Sequence, residues 1–117
     1  MAKHKSFCGD GTPRREFLYV DDLAEACVHL MHHYSNEFHV NIDTGENVEI
    51  RLLAEIIKEV VGYKGGMVND LSKPDGALRK FLGVSLLRST GWQHKIRLRD
   101  GISRVYSWYC EQSLKNE

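Results

Sequence analysis

The residues whose types and spacing could do chemistry are concentrated in Gly9-Asp10-Gly11-Thr12-Pro13-Arg14-Arg15. Two glycines and a proline so close together predict a tight turn. Glycine has no Cβ, so backbone at such a turn can come close to a ligand. Arginine carries a planar fork of donors that makes paired, charge-assisted hydrogen bonds to phosphate. A glycine turn followed by arginine therefore could cradle a phosphate, and a plain surface cation is the other reading these residues allow. His29 and His33 have the i, i+4 spacing of a metal pair, but no acidic or cysteine third ligand stands near them. They read as histidines of a polar helix face, together with His32, and no metal is expected. Cys8, Cys27 and Cys110 are an odd, widely spaced set without a C-x-x-C pair, which argues for free thiols in a reducing cytoplasm.

Local patterns predict the elements that position these groups. Ser6-Phe7-Cys8 could begin a strand ahead of the turn, and Phe17 to Val20 reads as extended. Asp21 or Asp22 can cap a helix, because a carboxylate accepts the unpaired amides of a first turn. In that helix Leu23, Cys27, Leu30, Met31 and Tyr34 fall on one face, the expected buried stripe, and Ser35-Asn36 ends it. Phe38 to Ile42 alternates as a strand does, and Thr44-Gly45-Glu46-Asn47 is a turn. A second helix runs from about Ile50 to Val61, with Leu53, Ile56, Ile57 and Val60 inward and Gly62 as its stop. Met67-Val68 is another short apolar run, and Ser72 to Leu78 reads as a loop. Val84 to Thr90 could be a short helix ended by Gly91, and a last helix carries Leu98, Ile102, Val105, Tyr106 and Tyr109 on one stripe. Strands and helices alternate, the pattern of an α/β chain. The strands are few and short, better suited to extending another sheet than to making one.

The bulk numbers exclude several classes. The 117 residues fit one domain, 1–117, and a hydrophobic fraction of 42% suffices for a core. Lys plus Arg equals Asp plus Glu at 16 each, so the basic excess of a nucleic-acid binder is missing. Lys3 to Lys5 and Arg97 to Arg99 read as solvated surface charge. No stretch approaches a membrane span or the apolar segment of a signal peptide.

Three stretches carry a family resemblance. Gly9 to Ala24 resembles the G-x-G-x-x-x-R-x-F-x-x-V-x-D motif of extended short-chain dehydrogenases that act on nucleotide sugars. Ile50 to Glu55 and Val60 to Gly65 resemble their next helix and turn. Ser72-Lys73-Pro74-Asp75-Gly76, then Arg79-Lys80 and Gly91-Trp92, is similar to the S-K-P-D-G-x-x-R-K stretch of GDP-L-fucose synthases. The resemblance implies a small C-terminal substrate-binding subdomain, with few short strands, about four helices and no complete Rossmann domain. It places Arg15 at a diphosphate-contacting position, with Gly11 letting backbone approach and Arg14 and Lys80 assisting at a GDP-sugar or GDP. In the family an N-terminal Rossmann domain binds NADP(H), and the full enzyme epimerises and then reduces a GDP-keto-deoxymannose.

The family's other chemistry has no counterpart in these residues. Its hydride transfer needs a G-x-x-G-x-x-G cradle and a tyrosine with lysine four positions on, which lowers the phenol pKa. Here the residues four positions after Tyr19, Tyr34, Tyr63, Tyr106 and Tyr109 are Leu23, Phe38, Met67, Cys110 and Ser113. Arg14 stands where a third cradle glycine would be. The family's epimerisation cysteine and histidine lie upstream of this region, and Cys8 sits where the family has tryptophan. Leu78 replaces a usual proline, Gly83 a usual aspartate, and Glu49 stands where Ser or Thr would cap the second helix. The chain alone is therefore expected to hold no cofactor, to have no catalytic residue and to be inactive. It is either a piece of a GDP-L-fucose synthase or, if Met1 is a genuine start, a stand-alone module that serves as an interaction or oligomerising protein. Its expected partner is a Rossmann domain or, in a homodimer, a second copy, with no nucleic acid and no membrane.

Overall fold

The computed structural model describes residues 4–77 and 83–116. Strand β1, His4–Cys8, pairs in parallel with β4, Gly66–Asp70, in the register His4↔Gly66 to Cys8↔Asp70. A parallel pair needs a long crossover. Here the crossover contains β2 (Arg14–Arg15), α1 (Val20–His33), β3 (Val48–Glu49) and α2 (Ile50–Val61). Strands β2 and β3 form a two-residue antiparallel bridge. After β4 come α3 (Ser85–Ser89) and α4 (Leu98–Lys115). The α/β reading with four helices and short strands holds among the described residues.

Helix α1 differs from its sequence pattern in two ways. It opens at Tyr19, whose carbonyl takes the Leu23 N–H at 3.1 Å, and no side chain caps it. Asp22 is instead buried, 2% exposed, and accepts the N–H groups of Lys95 and Ile96 at 3.2 and 2.9 Å. A carboxylate that finds two amides across the fold is better satisfied there than at its own helix end, which corrects the expected cap. The expected buried stripe also turns outward: Leu23, Cys27 and Met31 are exposed, and of that set only Leu30 and Tyr34 are half-buried. The inner face is Asp22, Ala26 and His29, spaced four and three apart like any helix face, with Glu25 at its exposed margin. Glu25 takes Trp92 Nε1–H at 3.2 Å and Lys95 Nζ at 2.8 Å, and His29 Nε2 meets the Thr90 carbonyl at 2.8 Å. The hydrogen bond from Lys95 holds the Glu25 carboxyl below its usual range and raises the Lys95 ammonium in turn.

The small core of Ala26, Leu87 and Trp92 forms beneath these polar ties, with Leu18, Leu30, Val40 and Ile42 packed against it. The expected strand at Phe38 to Ile42 is not formed. Val40 and Ile42 reach the core, but no described strand lies alongside to complete a ladder, and Phe38 is exposed. Phe17 to Tyr19 pairs with no described strand, Tyr19 keeps the expected extended backbone at φ −68° and ψ 140°, and Val20 already begins α1.

Helix α2 stops where expected, at Gly62, whose φ of 79° is the left-handed value glycine accepts without strain. Its expected inward set is only half-buried, and Ile57 is exposed, because α4 covers one side alone. Arg99 of α4 pairs with Glu59 of α2, and Gly101 lets the Tyr19 ring lie against α4, where a Cβ would stand 3.2 Å from Tyr19 Cδ2. No helix among the described residues is long and apolar enough to cross a membrane.

The Asp22→Ala variant leaves two amides of the segment before α4 without partners. It is expected to lose about 2–4 kcal/mol of stability, read as a lower midpoint in urea unfolding followed by circular dichroism.

Candidate functional site

The glycine turn joins β1 to β2. Gly9 donates its N–H to the Asp70 carbonyl at 3.0 Å, closing the β1–β4 pair, and then turns with φ of 72°. Asp10 folds back on the turn: its carboxylate takes the Thr12 N–H at 2.9 Å and the Thr12 hydroxyl at 2.7 Å. The Thr12 hydroxyl and then its backbone N–H hold the Asp10 carboxyl below the usual carboxylate range. Gly11, at φ of 80°, is buried where a Cβ would meet Phe7 Cε2 at 2.8 Å and Arg51 Cβ at 2.9 Å.

The N-terminus of α2 is seated on this turn. Ile50 N–H donates to the Pro13 carbonyl and Arg51 N–H to the Gly11 carbonyl, both at 2.9 Å. The Arg51 guanidinium adds a bond to the Asp10 carbonyl at 2.9 Å. Glu49 makes no side-chain cap, so the turn's carbonyls satisfy the amides that a Ser or Thr would have served.

Successive side chains of a strand point to opposite faces, and β2 uses this to separate its two arginines. Arg14 reaches toward β3: its Nε–H bonds Asn47 Oδ1, Nη2 reaches the Asn47 carbonyl at 3.2 Å, and Nη1 lies 3.5 Å from Glu49 Oε1. Arg15 points the other way. Its Nη1 donates to the Arg14 and Ala77 carbonyls, both at 2.7 Å, and its Nη2 would stand 2.8 Å from a Cβ at Gly76. The S-K-P-D-G stretch thus comes to Arg15. Asp75 ties the two motifs together, accepting the Asp10 N–H at 3.1 Å, with Oδ1 only 1.7 Å from where a Gly9 Cβ would be. Lys80 lies outside the described residues. Sequence reasoning did not single out Asp75, Asn47 or Arg51. Asp75 was legible only as part of its motif, and the other two had no local signal, since their partners lie 33 and 41 positions away.

The NAD dependent epimerase/dehydratase family model matches residues 2–43. A putative GDP-L-fucose synthase 2 of Arabidopsis thaliana is 53% identical over 109 residues, which cover 93% of this chain and 33% of that relative. Over residues 2–43 the chain is thus similar to the NAD dependent epimerase/dehydratase family, and over nearly its whole length to a part of GDP-L-fucose synthases. The GDP-L-fucose synthase of Escherichia coli K12 is 46% identical over 112 residues, covering 88% of this chain and 35% of the relative. The structure of a GDP-L-fucose synthetase from Naegleria fowleri bound to NADP superposes with a TM-score of 0.88 at 27% identity, over 94% of this chain and 35% of that one. The chain spans about a third of the length of the relatives it matches, their C-terminal part.

The glycine turn does not fit the family's dinucleotide. In a dinucleotide cradle the glycine turn opens a helix whose free amides face the pyrophosphate. Here the turn leads into β2, and the α2 amides beside it already hold Pro13 and Gly11 carbonyls. A concavity of about 320 Å³ between α2 and α4 is walled chiefly by apolar side chains, Leu53, Ile57 and Ile102 among them, with Arg97 as its one cation.

Because hydrogen bonds depress the Asp10 pKa, the turn's contribution to stability is complete above the unfolded value and fades as pH falls through the lower folded value. A carbon-detected NMR titration should place the Asp10 midpoint below that of an unperturbed aspartate. Thr12→Val should move it upward, and an unchanged midpoint in that variant counts against this account.

Proposed function

We propose that this chain supplies the diphosphate-contacting part of a GDP-sugar site, with Arg15 as the principal contact. The observation that carries this reading is the meeting at Arg15 of two motifs far apart in sequence, the glycine turn and the S-K-P-D-G stretch, with Arg15 and Ala77 62 positions apart. Relatives named for GDP-sugar chemistry support it. In this reading Arg15 exchanges the Ala77 carbonyl for phosphate oxygens, a stronger, charge-assisted acceptor. Gly11 keeps the turn free of a side chain, Arg14 holds the turn to β3 while adding positive potential, and Lys80 assists.

The chain's role here is binding and orientation. Its tyrosines lack a lysine four positions on, so no proton relay of the family's kind is assigned to them. Hydride and proton transfer are assigned to the portion of the relatives' length that this chain does not span. The reading also places the chain in the cytoplasm, where Cys8, Cys27 and Cys110 stay reduced.

A titration with GDP followed by ¹⁵N NMR tests the proposal. The Gly11 to Arg15 amides are expected to shift saturably, and Arg15→Ala is expected to weaken binding by about tenfold or more, the loss of one charged hydrogen-bonding group. If millimolar GDP moves none of these amides, the proposal fails.

A further inference from the structure

The segment that follows β4, residues 71–77, has no hydrophobic anchor. All of its residues are exposed, Leu71 among them at 74%. A segment without buried apolar contacts keeps its place only through directed bonds. This strap is tied at three places among the described residues. At its near end Asp70 takes the Lys73 N–H on its carbonyl at 3.2 Å and the Ser72 N–H on its carboxylate at 3.1 Å, with the Ser72 hydroxyl on the same oxygen. In the middle Asp75 Oδ1 accepts the Asp10 N–H at 3.1 Å. At the far end the Ala77 carbonyl accepts Arg15 Nη1–H at 2.7 Å.

The middle tie has a prepared seat. A Cβ on Gly9 would stand 1.7 Å from Asp75 Oδ1 and 2.6 Å from its Cγ, so the side chain fits only against a glycine. Gly9 is itself fixed by its N–H bond to the Asp70 carbonyl at 3.0 Å. The donor residue is held from behind, since the Asp10 carbonyl takes Arg51 Nη2–H at 2.9 Å. A carboxylate adds negative charge beside a phosphate site, which works against the ligand. Its useful property there is the acceptor oxygen.

The far tie is the one that a ligand breaks. In the GDP reading, on which this inference rests, Arg15 gives up the Ala77 carbonyl for phosphate oxygens. The strap then hangs from its other anchors. Two residues span at most about 7 Å, so a docked Asp75 keeps Ala77 within about 7 Å of itself. With Asp75 undocked the nearest tie is Lys73, four residues from Ala77, and the reach doubles to about 14 Å. Doubling a free segment lowers the chance of finding its end at one place by about threefold. Lys80, five positions after Asp75, comes under the same constraint.

We propose that Asp75 is a positioning residue of the candidate site. Its Oδ1, seated against Gly9, keeps the 71–77 strap on the glycine turn while Arg15 turns from the Ala77 carbonyl to phosphate. Asp75 touches no ligand and acts through the strap.

The test follows GDP binding to the full 117-residue chain by ¹⁵N NMR, alongside amide exchange in the ligand-free chain. Asp75→Ala should weaken GDP binding by about threefold or more, with unchanged circular dichroism. Asp75→Asn keeps the acceptor and drops the charge, and should restore the wild-type affinity. Without ligand, the Asp10 amide should exchange faster in Asp75→Ala and at the wild-type rate in Asp75→Asn. Unchanged GDP binding in Asp75→Ala overturns the proposal, and so does tighter binding, because the strap would then only block Arg15. An Asp75→Asn variant as weak as Asp75→Ala overturns it too, by making charge the working property. If the wild-type chain binds no GDP, the GDP reading fails, and the Asp10 amide decides the anchor separately. Faster exchange in Asp75→Ala then upholds the anchor, and unchanged exchange overturns it.

Discussion

The carboxylate of Asp22 is the constraint on which the rest of this chain depends. It sits on the inner face of α1 and takes two consecutive amides from the segment that leads into α4. A buried carboxylate left alone would be costly, and two directed donors remove that cost while fixing both position and angle. Glu25 and His29 extend the same seam toward Trp92, Lys95 and Thr90. From there the order propagates. The placed segment starts α4, α4 holds α2 through Arg99 and Glu59, and the α2 N-terminus receives the carbonyls of the glycine turn. Arg15 is thus positioned by a contact on the far side of the fold.

The glycine turn is a joint among three elements. β1 enters it, α2 sits on it, and the Ser72 to Ala77 stretch is tied to it through Asp75 and Arg15. Each of its two glycines removes a Cβ that would collide, Gly9 with Asp75 and Gly11 with Phe7 and Arg51. The two-residue strand β2 then divides the labour of adjacent arginines. Arg14 fastens the turn to β3, and Arg15 faces the loop that closes the candidate site.

A seam made largely of polar groups leaves a small hydrophobic core, and apolar side chains that would normally enlarge it remain outside. The outer ridge of α1 and the concavity between α2 and α4 are both of this kind. Domains of this size bury a modest share of their surface in any case. The chain exposes 8612 Å², against about 6,500 Å² for a compact monomer of its mass.

The sequence by itself determined the elements whose signals are local. The left-handed glycines at 9, 11, 62 and 91 mark turns and helix ends, and helical periodicity outlines α2 and α4. The family motifs around Gly9 and Ser72 are legible as strings of residues. Tertiary structure alone decided which side of α1 faces inward. Hydrophobic periodicity selected Leu23, Cys27 and Met31, yet the inward side carries Asp22 and His29, with Glu25 at its exposed margin, and their partners lie 61 to 74 positions away. It also decided that Phe38 to Ile42 is not a strand, because alternation prepares a segment for a ladder but only a neighbouring strand can make one. Local pattern fixes what a segment can form. The choice of face and partner belongs to groups that meet only once the chain has folded.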